Sequence, residues 1–250
     1  MIGAAAPGPI FGGDRSPMKD PLPASLPVGN LLAVYGSPRK GGNTSLLLDS
    51  FLEGVESGGT SADARAGSVP DPGAEPSVAC RKTGFRIERI RLRDLAVSPC
   101  TACGRCRETG VCVVQDEMGK YYDKLLTCDL IVMALPVYFM GPPAVAKAFI
   151  DRAQSLWVRK YALGVKPSRV SAAGGERKGF LLSVGGFKGS AKIFDCNRSI
   201  VKAFFMSFGV KYAGELFFPG VDHYGDIKNV EGALDKAREA GKNFVVQQAG

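Results

Sequence analysis

Apolar residues along this chain recur in two rhythms, short unbroken runs and stretches spaced by three and four, and the alternation of the two predicts its fold class. Residues 30–35 form the first apolar run. After the turn GSPRKGGNT, a helix with one apolar face is expected over residues 44–55, capped by Asn43 or Thr44. A second strand is expected at 85–90, and in QDEMGKYYDKLLTC the apolar positions Met118, Tyr121, Tyr122, Leu125 and Leu126 fall at helical spacing. DLIVMALP reads as a strand buried on both faces, followed by the turn PVYFMGPP and a helix over 144–160 with Val145, Ala148, Phe149 and Leu156 on one face. A strand at 180–184, a helix at 191–207, a strand at 211–218 and a helix at 231–247 complete the series. Five strands alternating with five helices predict an α/β fold, an open parallel sheet covered on both faces with right-handed crossovers.

Two segments fall outside this rhythm. Residues 1–29 carry six prolines and no periodicity, and are expected to be a disordered extension. Residues 57–84 turn to Gly, Ser, Pro and Ala, as a flexible insert would. The remainder, 30–250, is read as one domain, and 250 residues at 45% apolar content can build its core. No run of about eighteen apolar residues occurs, the longest being 130–136, and the first residues lack a basic segment before their apolar ones. The expectation is a cytoplasmic protein in a reducing compartment, with no membrane span. The net charge of +8 comes without an arginine-rich run or an aromatic-interleaved basic strip, so nucleic acid is not indicated. An acidic electron donor or a phosphorylated nicotinamide would benefit more from the positive potential.

Cys100, Cys103, Cys106 and Cys112 lie within CTACGRCRETGVC, an expected loop at 98–115 after the second strand. The spacing C-x2-C-x2-C-x5-C is close to the ferredoxin run that holds a [4Fe-4S] cubane. Structural zinc sites tend to join two distant C-x2-C pairs, and disulfides between such near neighbours make strained rings. An iron-sulfur cluster, zinc and unligated thiols all remain open on spacing alone. Cys80, Cys128 and Cys196 are isolated, as small buried or loop residues are.

In parallel sheets of this kind, ligands bind outside the carboxyl ends of the strands. The turn 36–44, the cysteine loop, PVYFMGPP and GGFKGS all leave strands at that edge. The first turn has phosphate-cradle chemistry: Gly36, Gly41 and Gly42 let backbone amides turn inward, a helix begins behind them, and Ser37, Arg39, Asn43, Thr44 and Ser45 can donate hydrogen bonds. It is neither a Walker A loop nor G-x-G-x-x-G. Tyr138 and Phe139 offer a wall for a flat heterocycle, and Gly185 and Gly186 let backbone approach its other side. The competing reading of the first turn and of PVYFMGPP is a turn that serves packing alone. His223, the one histidine, is read as a solvated loop residue. Lys166, Arg169, Arg177 and Lys178 are candidates for a nicotinamide phosphate.

GSPRKGGNTSLL, CTACGRCRETGVCVVQDEM and LPVYFMGPPAVAKAFIDRAQSLW together resemble the iron-sulfur flavoprotein family, a branch of the flavodoxin-like NAD(P)H-dependent FMN reductases, over about residues 30–247. The resemblance implies a flavodoxin-like, doubly wound five-stranded sheet of order 2-1-3-4-5. It implies FMN, with its phosphate held by Ser37, Arg39, Asn43, Thr44 and Ser45 and its isoalloxazine bordered by Pro136, Val137, Tyr138, Phe139, Gly141, Gly185 and Gly186. A [4Fe-4S] cluster on Cys100, Cys103, Cys106 and Cys112 is implied as well, in a homodimer or homotetramer where the cluster of one subunit approaches the flavin of another. FMN joined to a cubane would exchange electrons between a donor such as ferredoxin or NAD(P)H and an acceptor. The competing expectations are an NAD(P)H-dependent FMN or quinone reductase without a cluster, and a redox sensor that alters a partner contact when its cluster is lost.

Overall fold

A computed structural model describes residues 29–58, 85–167, 171 and 175–246. The expected N-terminal extension, most of the expected insert, Cys80 and Arg169 lie outside the described residues. Among those described, five strands, β1 (Gly29–Tyr35), β2 (Phe85–Arg91), β3 (Leu130–Pro136), β4 (Lys178–Gly185) and β5 (Lys211–Pro219), form one sheet. Its order is β2-β1-β3-β4-β5 and every neighbouring pair is parallel, the doubly wound order that was expected. The helices are α1 (Asn43–Gly58), α2 (Tyr122–Thr127), α3 (Ala144–Asp151), α4 (Gln154–Tyr161), α5 (Asp195–Ser207) and α6 (Ala233–Val246).

The unbroken apolar run of β3 follows from its central place. Leu130, Val132 and Ala134 pack into the core shared with α1 and α6, while Ile131, Met133 and Leu135 enter the core under α2 to α5. β1 divides its side chains the same way, Leu31, Ala33 and Tyr35 to one face and Leu32 and Val34 to the other. Each fully buried Leu, Ile or Phe in these layers contributes about 1.5–3 kcal/mol. The pair α1 and α6 is unusually close. A Cβ on Gly54 would sit 1.8 Å from the Arg238 carbonyl oxygen, and one on Gly241 would sit 1.9 Å from that of Phe51, so each helix needs a glycine where the other's backbone passes.

Several boundaries differ from the sequence reading. Gly29 already pairs with Phe85, and Ser57 and Gly58 belong to α1, whose last turn still packs on Lys242 of α6. The single helix expected over 144–160 is broken at Arg152 and Ala153, where the Arg152 side chain is drawn sideways into the cysteine loop. The segment after that loop opens as a tight 3-10 turn over Glu117–Lys120, because Asp116 spends its carboxylate on distant partners as well as on the Met118 N–H. Among the described residues no helix is long and apolar enough to cross a membrane.

Candidate functional site

At the carboxyl edge of the sheet the chain changes direction between β1 and β3, and a cavity of about 50 Å3 opens there. Its first wall is the turn after β1. Gly36 extends the ladder by donating its N–H to Ala134 (2.9 Å), and the Gly42 carbonyl starts α1 by accepting from Ser45 and Leu46. Gly41 stands at φ +62°, a conformation that favours glycine. Ser37 Oγ accepts the Arg39 N–H at 3.1 Å, leaving its own hydrogen free to point outward. Thr44 Oγ1 is buried at the start of α1 with no hydrogen-bond partner among the described residues. An orphaned hydroxyl beside the first N–H groups of a sixteen-residue helix is what a bound phosphate oxygen would satisfy, so the turn fits the phosphate of FMN.

The second wall follows β3. Val137 N–H donates to Val184 (2.8 Å), and Tyr138 and Gly141 exchange backbone hydrogen bonds of 2.7 and 3.0 Å. Between them Phe139 and Met140 both have positive φ, 46° and 65°, the backbone of a tight hairpin turn that Asn-Gly fills without strain. From behind, Asn197 Nδ2 reaches the Pro136 carbonyl (3.4 Å) and Ser183 Oγ (3.2 Å), while Ser183 Oγ donates to Leu135. The third wall is Gly185 and Gly186. A Cβ on Gly186 would meet the Asp222 carboxyl at 3.0 Å, so the turn after β5 closes directly against this backbone.

The cavity thus gathers Ser37, Arg39, Asn43, Thr44, Pro136, Val137, Tyr138, Gly185 and Gly186 from the candidate set. Three candidates stand elsewhere. Ser45 lines a neighbouring cavity, Gly141 closes the hairpin turn, and Phe139 is fully exposed, so Tyr138 is the aromatic residue of this turn that lines the cavity. Asn43 is spoken for: its Nδ2 donates to the His223 carbonyl (2.8 Å) and its Oδ1 accepts from Ile227, which ties α1 to the turn after β5. A cavity of this size is large enough for a phosphate group. Val221 and Asp222, which also line it, were missed. Their only signal was position, immediately after the fifth strand, in a segment read for its histidine. His223 itself is exposed and contributes its carbonyl.

The cysteine loop leaves β2 and folds against α4. All four thiols line one cavity of about 300 Å3, with Arg152 and Ser155 on its far side. Left-handed residues at Ala102 (φ 54°), Gly104 (75°) and Gly110 (69°) turn the chain between successive cysteines. Arg152, 1% exposed, anchors the loop: its Nη1 donates to Asp116 Oδ2 (2.6 Å) and the Ser98 carbonyl (3.0 Å), and its Nη2 to the Val114 carbonyl (3.1 Å). Burial alone would push the Asp116 carboxyl up, but Arg152 and the Ser98 and Met118 N–H groups hold it below the usual carboxylate range. Burial likewise opposes ionisation of Cys112, yet the Val114 N–H, the Tyr122 hydroxyl and Arg152 bring its thiol below the ordinary value. Cys106, with its burial and three neighbouring thiols, is pushed up. Among the described residues no three potential ligands converge as a single-ion site would require. Four thiols around one cavity suit a polynuclear cluster, in which each sulfur meets its own iron.

Of the candidates for a nicotinamide phosphate, the described Lys166, Arg177 and Lys178 line neither cavity. Arg177 is buried and donates to the carbonyls of Cys128 (2.6 Å), Phe208 (2.7 Å) and Leu125 (2.7 Å), and Lys178 opens β4 at the amino edge of the sheet, opposite the cavity. Burial pushes the Cys128 thiol up to about 11, as befits a core residue. Cys196 is exposed at the start of α5.

A family model described as NADPH-dependent FMN reductase matches residues 30–184. The chain is 30% identical over 149 residues to an iron-sulfur flavoprotein of Methanosarcina thermophila, covering 60% of this chain and 65% of that one. It is 31% identical over 128 residues to a putative NAD(P)H-dependent FMN-containing oxidoreductase of Bacillus subtilis, covering 49% and 66%. It therefore spans just under two thirds of either relative's length. In three dimensions it resembles an NAD(P)H:quinone oxidoreductase from Methanothermobacter marburgensis, with a TM-score of 0.55 over 86% of this chain and 96% of the other; at 16% identity this shows a shared fold.

Proposed function

The chain belongs to the NADPH-dependent FMN reductase family, and from that premise we propose that it is a flavin-dependent oxidoreductase that also carries a [4Fe-4S] cluster. The observation that carries the reading is the single cavity lined by Cys100, Cys103, Cys106 and Cys112 and backed by the buried, anchored Arg152. The likeness to an iron-sulfur flavoprotein supports it. When bound, FMN supplies two-electron hydride chemistry with one-electron release, and a cubane supplies one-electron transfer.

The protein's own residues bind and position. Ser37 and Thr44 would hold the phosphate with the first amides of α1, and Arg39, whose Nη1 rests on the Asp222 carbonyl at 3.2 Å, would add charge. Pro136, Val137 and Tyr138 would border the ring from one side and Gly185 and Gly186 from the other, with Asn197 and Ser183 bracing the hairpin. Arg152 and Asp116 fix the loop so that the thiols face one space, and Tyr122, the Val114 N–H and Arg152 favour the thiolate of Cys112. Trp157 and Tyr161 of α4 are both exposed with their rings 5.3 Å apart, an apolar patch that supports a homo-oligomer. Ferredoxin or NAD(P)H is the proposed donor.

The test uses ferredoxin reduced photochemically under anaerobic conditions. Wild type should show bleaching of its bound FMN, and the Cys103→Ala protein should lose that reaction while retaining FMN. Equal bleaching in both would refute the route through the cysteines. A second reading, an NAD(P)H-dependent FMN reductase without a cluster, is favoured by the likeness to the Bacillus subtilis oxidoreductase. It predicts rapid NADPH oxidation by iron-free protein.

A further inference from the structure

Next to the cavity that fits the flavin phosphate lies a second one of about 230 Å3. Arg39 and Lys40 approach it from the turn after β1 and Arg91 and Arg93 from the end of β2, beside buried Tyr35 and exposed Asp49. Ser37 and Arg39 line both cavities, so the two adjoin.

Charged side chains on an edge strand often serve only to prevent pairing with another sheet. That explains the earlier part of β2, where Arg89 pairs with Glu56 and Glu88 with Lys124. Arg91 differs. Its guanidinium lies 4.9 Å above the Tyr35 ring, at the cavity, and among the described residues neither it nor Lys40 has a carboxylate at ion-pair distance. Arg93 contacts Asp94 at 3.0 Å and Arg39 contacts only a backbone carbonyl. Among the described residues Asp49 is the one carboxylate lining the cavity, and its Oδ1 accepts the Tyr35 hydroxyl at 2.6 Å. Four cations around a concave space of this size, only Arg93 of them in an ion pair among the described residues, select a small polyanion.

We propose that this cavity is a second phosphate subsite, taking an additional phosphoryl group of a nucleotide alongside the flavin phosphate. The location rests on the flavin reading only for what occupies the adjoining cavity. It also replaces Arg177 and Lys178, which stand at the start of β4, at the opposite edge of the sheet. Such a group arrives either as the 2′-phosphate of a nicotinamide donor or as the distal phosphate of a flavin dinucleotide.

Calorimetry on the full chain separates these. Adenosine 2′,5′-bisphosphate and adenosine 5′-monophosphate are titrated into the FMN-loaded protein, and FAD and FMN into protein stripped of flavin, for wild type and for the Arg91→Gln, Lys40→Gln double variant. Both side chains are exposed, so the variant keeps its fold, which its FMN affinity, unchanged within about twofold, reports. A wild-type preference of about tenfold or more for the bisphosphate, lost in the variant, assigns the subsite to the 2′-phosphate. A preference for FAD over FMN, lost in the variant, assigns it to the flavin dinucleotide. Protein that binds no flavin but prefers the bisphosphate through these residues would refute the flavin reading and uphold the subsite. If wild type shows neither preference, or the variant keeps whichever it shows, the subsite is overturned.

Discussion

Arg152 holds the cysteine loop in a way that no cysteine does. It is 1% exposed, and its Nη1 and Nη2 are held by one carboxylate and two carbonyls from the loop, while Nε has no partner among the described residues and the Arg152 carbonyl accepts the Tyr122 hydroxyl at 3.2 Å. Removing one member of a buried ion pair leaves the other charge without compensation, which costs about 3–5 kcal/mol. Arg152→Met should therefore lower unfolding free energy by about 3 kcal/mol in urea titrations, and adding Asp116→Asn should recover part of that loss because the stranded carboxylate is gone. A loss below about 1 kcal/mol would show that the pair does not organise the loop. The sequence marked the cysteines through their spacing. Arg152 had no such mark: it sits inside an apolar helical rhythm, and its role comes from contacts 36 and 54 residues away.

At the scale of elements, β5 and α5 are joined by a charged network. Arg198 Nε donates to both oxygens of Glu215 (3.0 and 2.8 Å), its Nη2 donates to Oε1 (2.8 Å), and its Nη1 also meets Asp195. The Tyr212 hydroxyl donates to the same carboxylate. Arg198 foremost, and Tyr212 after it, hold the Glu215 carboxyl below the usual range against the opposing effect of burial. A carboxyl with a depressed folded value stabilises the fold above its unfolded pKa of about 4.3, and that contribution fades as pH falls through the folded value. Thermal melts should thus show Glu215→Gln destabilised at pH 7 and the gap to wild type closing below about pH 4. A gap independent of pH would contradict the network. The strands were legible as elements because their apolar runs or alternation reflect burial directly, and β3 most clearly because both its faces are covered. Breaks within helices were not legible, since the pause between α3 and α4 is set by where Arg152 must reach.

For the whole molecule, parallel topology brings the loops after β1, β3, β4 and β5 to one edge and hangs the cysteine loop from β2 beside them. The motif positions were readable because strand order makes their meeting necessary, whereas the closing turn at Val221 and Asp222 was not, since it carries no motif and gains its place only from β5. Exposed Phe139 shows the same limit: an aromatic in a turn is visible in sequence, its exposure is not. The central claim is that this one edge carries both a flavin and an iron-sulfur cluster. Purifying the protein without oxygen and quantifying iron, acid-labile sulfide, zinc and flavin on the same sample tests it most directly. The account predicts flavin together with about four irons and four sulfides per chain, and absorbance near ~400 nm that dithionite bleaches. Flavin bound without iron, in protein never exposed to oxygen, would contradict it.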